Sequence, residues 1–371
     1  MTDLVQCTPL NAVHRELGAK MTEFGGWDMP LHYGDIIGEY TSVRARVGLF
    51  DTSHMRAFCV SGAEANAYLQ FITPRKVGTV SGKVQYAVLT NKAGGAVDDC
   101  TIYCASPEAY LVVVNAGNIE KDFAWMKGHA SGFDVEIEKE THYCGILALQ
   151  GPLAEKVLAK CVDEVASIPK GRYTFAQSTI SGCTVILSRT GYTGEDGFEI
   201  LCVPAFLSHY WSMMLERGAP EGILPCGLGA RDLLRLEAWM PLYGHELTEK
   251  RGPLEANLHR VVNLDKREFS IGRNALTLKL LSGPLETLIG LKTSERGVIM
   301  RPGTLIGIDD RVIGEVTSGS PYPSGISLGM GFVSRDIDPT PGMTLQVQIH
   351  KKWRNALVVE RKFVPTPKES S

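Results

Sequence analysis

Three short segments carry residue types that could hold a small ligand and act on it. The first is Gly94-Gly95-Ala96-Val97-Asp98-Asp99, in a stretch that reads as a hairpin. Adjacent strand residues point to opposite faces, so one of the two Asp faces inward if the sheet packs on a core. A buried carboxylate is costly unless it is paired or hydrogen-bonded. Such a group would meet a ligand N–H or influence a reacting amine. The plainer alternative is a turn with both carboxylates solvated.

The second segment is Gly191-Tyr192-Thr193-Gly194-Glu195-Asp196-Gly197-Phe198-Glu199-Ile200. Its glycines let backbone turn tightly or approach a ligand. Glu199 sits between two apolar strand residues, and its carboxylate could accept two N–H bonds from the edge of an amidine-like heterocycle. An exposed edge-strand Glu is the alternative. The third segment, Cys226-Gly227-Leu228-Gly229-Ala230-Arg231-Asp232, runs on through Arg235 and Glu237 to Trp239. Arg231 falls at the start of a helix, where a ligand carboxylate would feel both the guanidinium and the positive helix end. A surface salt-bridge set of Arg231, Arg235 and Glu237 is the alternative. Together the three segments suggest a flat polar heterocycle held by acids, with an Arg for an anionic or carbonyl end.

The elements that must position these residues can be read from periodicity and punctuation. Residues 83–90, 96–105 and 110–115 read as a three-strand meander with turns at 91–95 and 106–108. A helix is expected over 117–127, then strands over 134–137 and 144–150, and a helix opened by Gly151-Pro152 and reaching Cys161. Residues 172–201 are strand-rich, and helices are expected over 204–217 and 229–239. The tail reads as six short strands, at 287–292, 304–309, 311–317, 327–333, 344–350 and 355–363, which suggests a small barrel or sandwich. The class is α+β, with antiparallel sheets and segregated helices. A boundary near Leu281-Ser282-Gly283-Pro284 separates region 1–280, in two subdomains, from a C-terminal domain at 285–371.

Composition narrows the function classes. The chain has 371 residues, 38 Lys and Arg against 41 Asp and Glu, and a net charge of −3. That balance argues against nucleic acid as partner, because dedicated binders show a clustered basic excess. No apolar run reaches the roughly 20 residues needed to span a bilayer, and the first residues carry no signal pattern, so a cytoplasmic location is expected. Nine scattered cysteines do not make a disulfide framework. Cys100 and Cys104 are expected as core thiols, since no further ligand lies near them for a metal. The chain has no Gly-x-Gly-x-x-Gly after a strand, no P-loop, and no zinc motif.

At these segments the chain resembles the aminomethyltransferase (T-protein) family of the glycine cleavage system. The resemblance extends over nearly the whole chain. It takes in Phe24-Gly25-Gly26-Trp27-Asp28-Met29-Pro30, Gly48-Leu49-Phe50-Asp51-Thr52-Ser53-His54-Met55, and Leu147-Ala148-Leu149-Gln150-Gly151-Pro152. It also takes in Leu242-Tyr243-Gly244, Thr317-Ser318-Gly319 and, at the end, Phe363-Val364-Pro365-Thr366. The resemblance implies a three-domain cloverleaf with a small C-terminal β-barrel and tetrahydrofolate in a central channel. By motif, Asp99 is the key carboxylate near the reacting folate nitrogens, Glu199 the pterin-binding acid and Arg231 a folate-contacting Arg. Met55, Tyr86, Tyr103, Asn115 and Tyr192 match positions that line or stack on the cofactor.

The chain also departs from the family pattern. Trp239 stands where Gly is usual, His259-Arg260 where Gly-Trp is frequent, Thr52 and Tyr40 where Val and His are common, and the segment 318–327 is slightly short. Two donors are compatible with one-carbon transfer to tetrahydrofolate. A T-protein takes an aminomethyl group from a lipoyl carrier protein, releases ammonia and forms methylene-tetrahydrofolate. A demethylase paralogue takes a methyl group from a small methylated donor, such as an aromatic methyl ether, and forms 5-methyl-tetrahydrofolate. The departures favour the paralogue, with His32, Trp239, His259 and Arg260 as donor-side residues. A non-catalytic folate-binding module is the reading from another class, and the intact motif around Asp99 argues against it.

Overall fold

The meander is present and belongs to a five-stranded sheet. Lys83–Thr90, Ala96–Ser106 and Ala109–Val114 pair antiparallel, and the sheet continues through Arg56–Ser61 to Glu136–Glu138. The computed structural model describes residues 5–360 apart from 140, 267, 268 and 310. Helices Ala65–Ile72 and Ile119–Gly128 pack on one face of the sheet, around Phe58, Tyr68, Leu69, Val112 and Met126.

A second sheet has six strands, in the order Phe175–Ile180, Cys183–Ser188, Gly197–Cys202, Gly145–Gln150, Gly48–Asp51 and Leu224–Pro225. Neighbours are antiparallel except the last pair, which is parallel. Helix Leu207–Gly218 seals it over Leu147, Leu149, Phe198, Ile200 and Trp211. The two sheets meet face to face through Ala57, Val84, Tyr103, Val113, Ile146, Ile186 and Leu201. Facing sheets are what bring the 96–106 and 197–202 strands, and hence their acids, to a common space.

The tail closes into a six-stranded barrel, Glu286–Thr293, Ser327–Ser334, Arg311–Pro321, Leu305–Ile308, Thr344–Ile349 and Lys352–Val359 in spatial order. Helix Arg273–Ser282 ends three residues before its first strand. Helix Leu228–Glu237 joins barrel to sheets. Its Leu236, with Trp239 beyond its end, packs on Leu288, Leu328, Met330 and Phe332 of the barrel. The end of the strand expected over 355–363, and the matching Phe363-Val364-Pro365-Thr366, lie outside the described residues.

Besides the helix expected over 204–217, which opens with a 3-10 turn at Pro204–Phe206 before Leu207–Gly218, three helices differ from expectation. The one expected over 117–127 begins with a 3-10 turn at Ala116–Asn118 before Ile119–Gly128. The one expected over 151–161 is only Ala154–Leu158. Beyond it the chain tightens to i→i−3 bonds, Lys160 N to Val157 O at 3.0 Å and Cys161 N to Leu158 O at 2.8 Å, with Val162 N to Leu158 O at 3.1 Å as a last i→i−4 bond. The third stops at Glu237 rather than at Trp239. Trp239 N–H donates to Leu236 O (3.0 Å) and Met240 N–H to Arg235 O (2.8 Å), a Schellman closure. That closure puts its αL residue at Trp239, with φ +62°, where glycine is the usual occupant.

Candidate functional site

A cavity of about 560 Å³ lies where the two sheets, the 228–237 helix and the 239–245 loop converge. All eight residues expected at a ligand site line it: Met55, Tyr86, Asp99, Tyr103, Asn115, Tyr192, Glu199 and Arg231. Trp239 lines it too. The other three donor-side candidates do not. His32 lies in strand Trp27–His32, with its Nδ1 bound by Gly34 N–H at 3.1 Å. His259 and Arg260 begin a 3-10 turn at the surface, one step past Leu258, which does reach the cavity.

One wall is acidic. Asp99 faces the cavity, while Asp98, on the opposite face of the strand, is fully buried. Asp98 accepts from Asn115 N–H (3.2 Å), Asn115 Nδ2 (2.9 Å) and Asn118 Nδ2 (2.8 Å). The same Asn115 Nδ2 reaches Asp99 Oδ1 at 3.0 Å, so one amide bridges the two carboxyls. Burial first, and then the negative charge of Asp98, push the Asp99 carboxyl up to about 7, with Tyr86 and the bond from Asn115 pulling the other way. It can therefore take up and release a proton near neutrality. The Tyr86 phenol is pushed well above its ordinary value, chiefly by burial and then by Asp99.

Glu199 lies in the middle of the six-stranded sheet, not at an edge, with strands 183–188 and 145–150 on either side. Thr190 Oγ1 donates to its Oε2 at 2.5 Å, and Ser188 Oγ lies 2.8 Å from that hydroxyl. Across from it, the Arg231 guanidinium stands 4.7 Å over the Tyr192 ring, and Tyr192 OH donates to Pro241 O at 2.5 Å. Among the described residues Arg231 has no carboxylate partner. Burial without a counter-ion lowers its pKa, while Tyr192 and Glu199 pull the other way. Arg231, Arg235 and Glu237, the alternative salt-bridge set of the 228–237 helix, thus part company. Arg235 pairs with Asp232 and Glu246, Glu237 pairs with Arg44, and Arg231 alone is left facing the cavity.

Several lining residues carry no assigned role from sequence. His54 is buried beside the cavity, edge-on to Phe24 at 5.8 Å, and burial followed by the Arg231 charge brings it down to about 4. It is neutral at physiological pH. Thr190 and the segment from Met240 to His245 also line the space. Tyr243 is held by Lys121, whose Nζ donates to its hydroxyl at 2.8 Å and to Val97 O at 2.5 Å. Phe24, His54 and Tyr243 lie within motifs of the family resemblance, which was the one signal available for them. Thr190 precedes the 191–200 segment and had none.

The cavity can therefore hold a flat ring between aromatic side chains, offer acceptors to its N–H edge, and set a cation against an anionic or carbonyl group. Comparison with known proteins gives it a context. The GCVT N-terminal domain family matches residues 10–266, and the glycine cleavage T-protein C-terminal barrel domain family matches residues 287–365. An aminomethyltransferase of Desulfitobacterium hafniense is 42% identical over 366 residues, covering 98% of this chain and 99% of that one. One from Moorella thermoacetica is 42% identical over 372 residues and all of both chains, and one from Bacillus subtilis 38% over 362 residues, covering 97% and 99%. The crystal structure of the glycine cleavage system aminomethyltransferase T from Bartonella henselae superposes with a TM-score of 0.88 at 31% identity, over 98% of this chain and 99% of that one.

Proposed function

The chain belongs to the glycine cleavage T-protein family, and from that premise we propose that it is a tetrahydrofolate-dependent aminomethyltransferase. Its donor is an aminomethyl group on a lipoyl carrier protein, and its products are methylene-tetrahydrofolate and ammonia. The observation that carries this reading is Asp99, a carboxyl that titrates near neutrality in the wall of a cavity that also holds Glu199 and Arg231. The cavity fits the acceptor. Its volume lies within the roughly 300–1,000 Å³ usual for small-molecule sites. Glu199 answers a pterin N–H edge, and Tyr86, Tyr103 and Tyr192 offer ring faces. Arg231, with no carboxylate partner among the described residues, suits the anionic end.

When bound, tetrahydrofolate supplies the two nitrogens that receive the carbon. Asp99 Oδ takes up a proton as a nitrogen becomes bonded and returns it as the amine departs, while the proton of the second nitrogen ends on the carrier's lipoyl sulfur, released as a thiol when its bond to the carbon breaks. Asn115 holds that carboxyl in place, and the fixed geometry provides proximity. His54, kept neutral, adds no competing cation beside Arg231. The same reading keeps a folate-binding region in two subdomains over residues 1–280 and a barrel domain over 285–371.

The methylated small donor favoured by the departures at 239 and 259–260 loses its support. The relatives bear the aminomethyltransferase name, and His32, His259 and Arg260 stand away from the cavity. Product identification by mass spectrometry decides between the donors. The protein is incubated with tetrahydrofolate and an aminomethyl-lipoyl carrier, and separately with a panel of methylated small molecules. Methylene-tetrahydrofolate from the carrier alone is expected. 5-Methyl-tetrahydrofolate with loss of a donor methyl would refute the proposal.

A further inference from the structure

Behind the acidic wall, helix Ile119–Gly128 carries a carboxyl that the reaction leaves unused. Asp122 is fully buried, does not line the cavity, and among the described residues neither of its carboxyl oxygens has a hydrogen-bond donor. As an anion it would lose its hydration with nothing in exchange. Its interacting neighbour is another carboxyl, that of Asp98. The two surroundings are opposite in kind. Asp98 receives three N–H bonds, from the backbone of Asn115 and the side chains of Asn115 and Asn118, and Asp122 receives none. Donors of this kind favour the ionised form of the group they bind. Two anions side by side in a dry interior exclude each other, and a single proton removes the conflict.

We propose that Asp122 is carried as a neutral carboxylic acid whose O–H donates to Asp98, and that this bond fixes Asp98 and, through the bridging amide of Asn115, the carboxyl of Asp99. Asp122 is thus a positioning residue. The consequence for turnover rests on the function proposed above, but the protonation does not. The groups around Asp122 agree with it. Asp98 and Cys100 face it from the 96–106 strand, Asp99 adds its charge from the far face of that strand, and Tyr243 acts from the loop beyond the 228–237 helix. Among the described residues Lys121 is the cation that acts on it, and that ammonium is already engaged by Val97 O and Tyr243 OH. Burial and Asp98 outweigh it and push Asp122 up to about 10. Among the described residues no cluster of His, Cys, Asp or Glu has the makings of a metal site that could hold these carboxyls together instead.

Infrared spectroscopy tests the proton directly, at pH 8.5, where Asp99 is ionised and Asp122 is not. The wild-type minus Asp122→Asn difference spectrum should contain one protonated-carboxyl C=O band. Asn keeps a donor toward Asp98 and adds no charge. Its kcat should stay within about threefold of wild type, with the acid limb of the pH profile unmoved. Asp122→Leu removes the donor, and kcat should fall about tenfold or more while the folate KM changes less than about twofold. If Asp122→Leu does not fold, the Asn variant still decides. Absence of the band, or an acid limb moved downward in Asp122→Asn, overturns the proposal, since either means that Asp122 is ionised in the wild type. If no preparation transfers a one-carbon unit to folate, the function fails while the band still reports the proton.

Discussion

The acid pair at 98–99 shows what one residue's surroundings decide. Strand alternation predicts one carboxyl inward and one outward, yet both are enclosed. Alternation assumes a solvated face, and this sheet has none there, with the 119–128 helix behind it and the cavity in front. The partner of Asp98, Asp122, was therefore invisible from sequence: it lies on a helix that reads as ordinary and amphipathic. The raised carboxyl of Asp99 has a consequence for stability. In the unfolded chain it loses its proton near pH 4, and in the fold near 7. Between those values only the native state holds the proton, so its contribution is full below about pH 4 and is lost as pH rises to about 7. Asp99→Asn removes this dependence. Relative to wild type, the variant should gain on the order of 4 kcal/mol between pH 4 and pH 8 in denaturant titrations. It should also lose about 10²- to 10⁴-fold in kcat while keeping folate affinity within a few-fold. A stability difference that is flat across that range would show that Asp99 is an ordinary carboxylate.

At the scale of elements, the cavity depends on how the 228–237 helix is tied to the barrel. Glu246 is fully buried and accepts from Arg235 Nη1 (3.0 Å), Leu242 N–H (3.0 Å), Thr317 Oγ1 (2.5 Å) and Ser318 Oγ (2.6 Å). One carboxylate thus joins the helix, the 239–245 wall and strand Arg311–Pro321. Glu246→Ala would leave the buried Arg235 guanidinium with Asp232 as its remaining carboxylate, and should cost about 3–5 kcal/mol in a denaturant titration. Folate affinity should fall with it, because Leu242 loses its anchor. A loss below about 1 kcal/mol would mean that the tie is incidental. The strands of both the meander and the barrel were legible in the sequence, because β-branched runs alternate there with turn residues. The 239–245 wall has no periodicity and no regular structure, and only Trp239 and the Leu242-Tyr243-Gly244 match pointed to it. His259 and Arg260 lie just past Leu258, which reaches the cavity, and are exposed, while Val261 of the same turn is buried. The N-terminal elements went unread as well, although Asp35 caps helix Ile36–Ala45 through Ile37 N–H (3.0 Å) and Gly38 N–H (2.9 Å), a signal present in the sequence.

Across the whole molecule, Trp239 makes the barrel part of the site. Its indole lines the cavity on one side and lies on the barrel strand Glu286–Thr293 on the other. A Cβ on Gly290 would sit 2.2 Å from Trp239 Cζ3 and 2.9 Å from both its Cη2 and Val359 Cγ2. The ring is rigid, so it could only move, and the cavity wall would move with it. Gly290 is therefore the barrel's means of letting the indole close the cavity. The backbone already bears a cost for this arrangement, because a bulky residue occupies the left-handed position of the helix closure, at φ +62°. Trp239→Gly should relieve about 1 kcal/mol of that strain and open the wall. Gly290→Ala should lower folate affinity about tenfold when Trp239 is present, and should have little effect in the Trp239→Gly background. A double-mutant cycle on folate binding reads this coupling directly. Equal losses in both backgrounds would mean that Gly290 serves the barrel alone. Non-additivity would make the C-terminal barrel a contributor to ligand selection through a single indole.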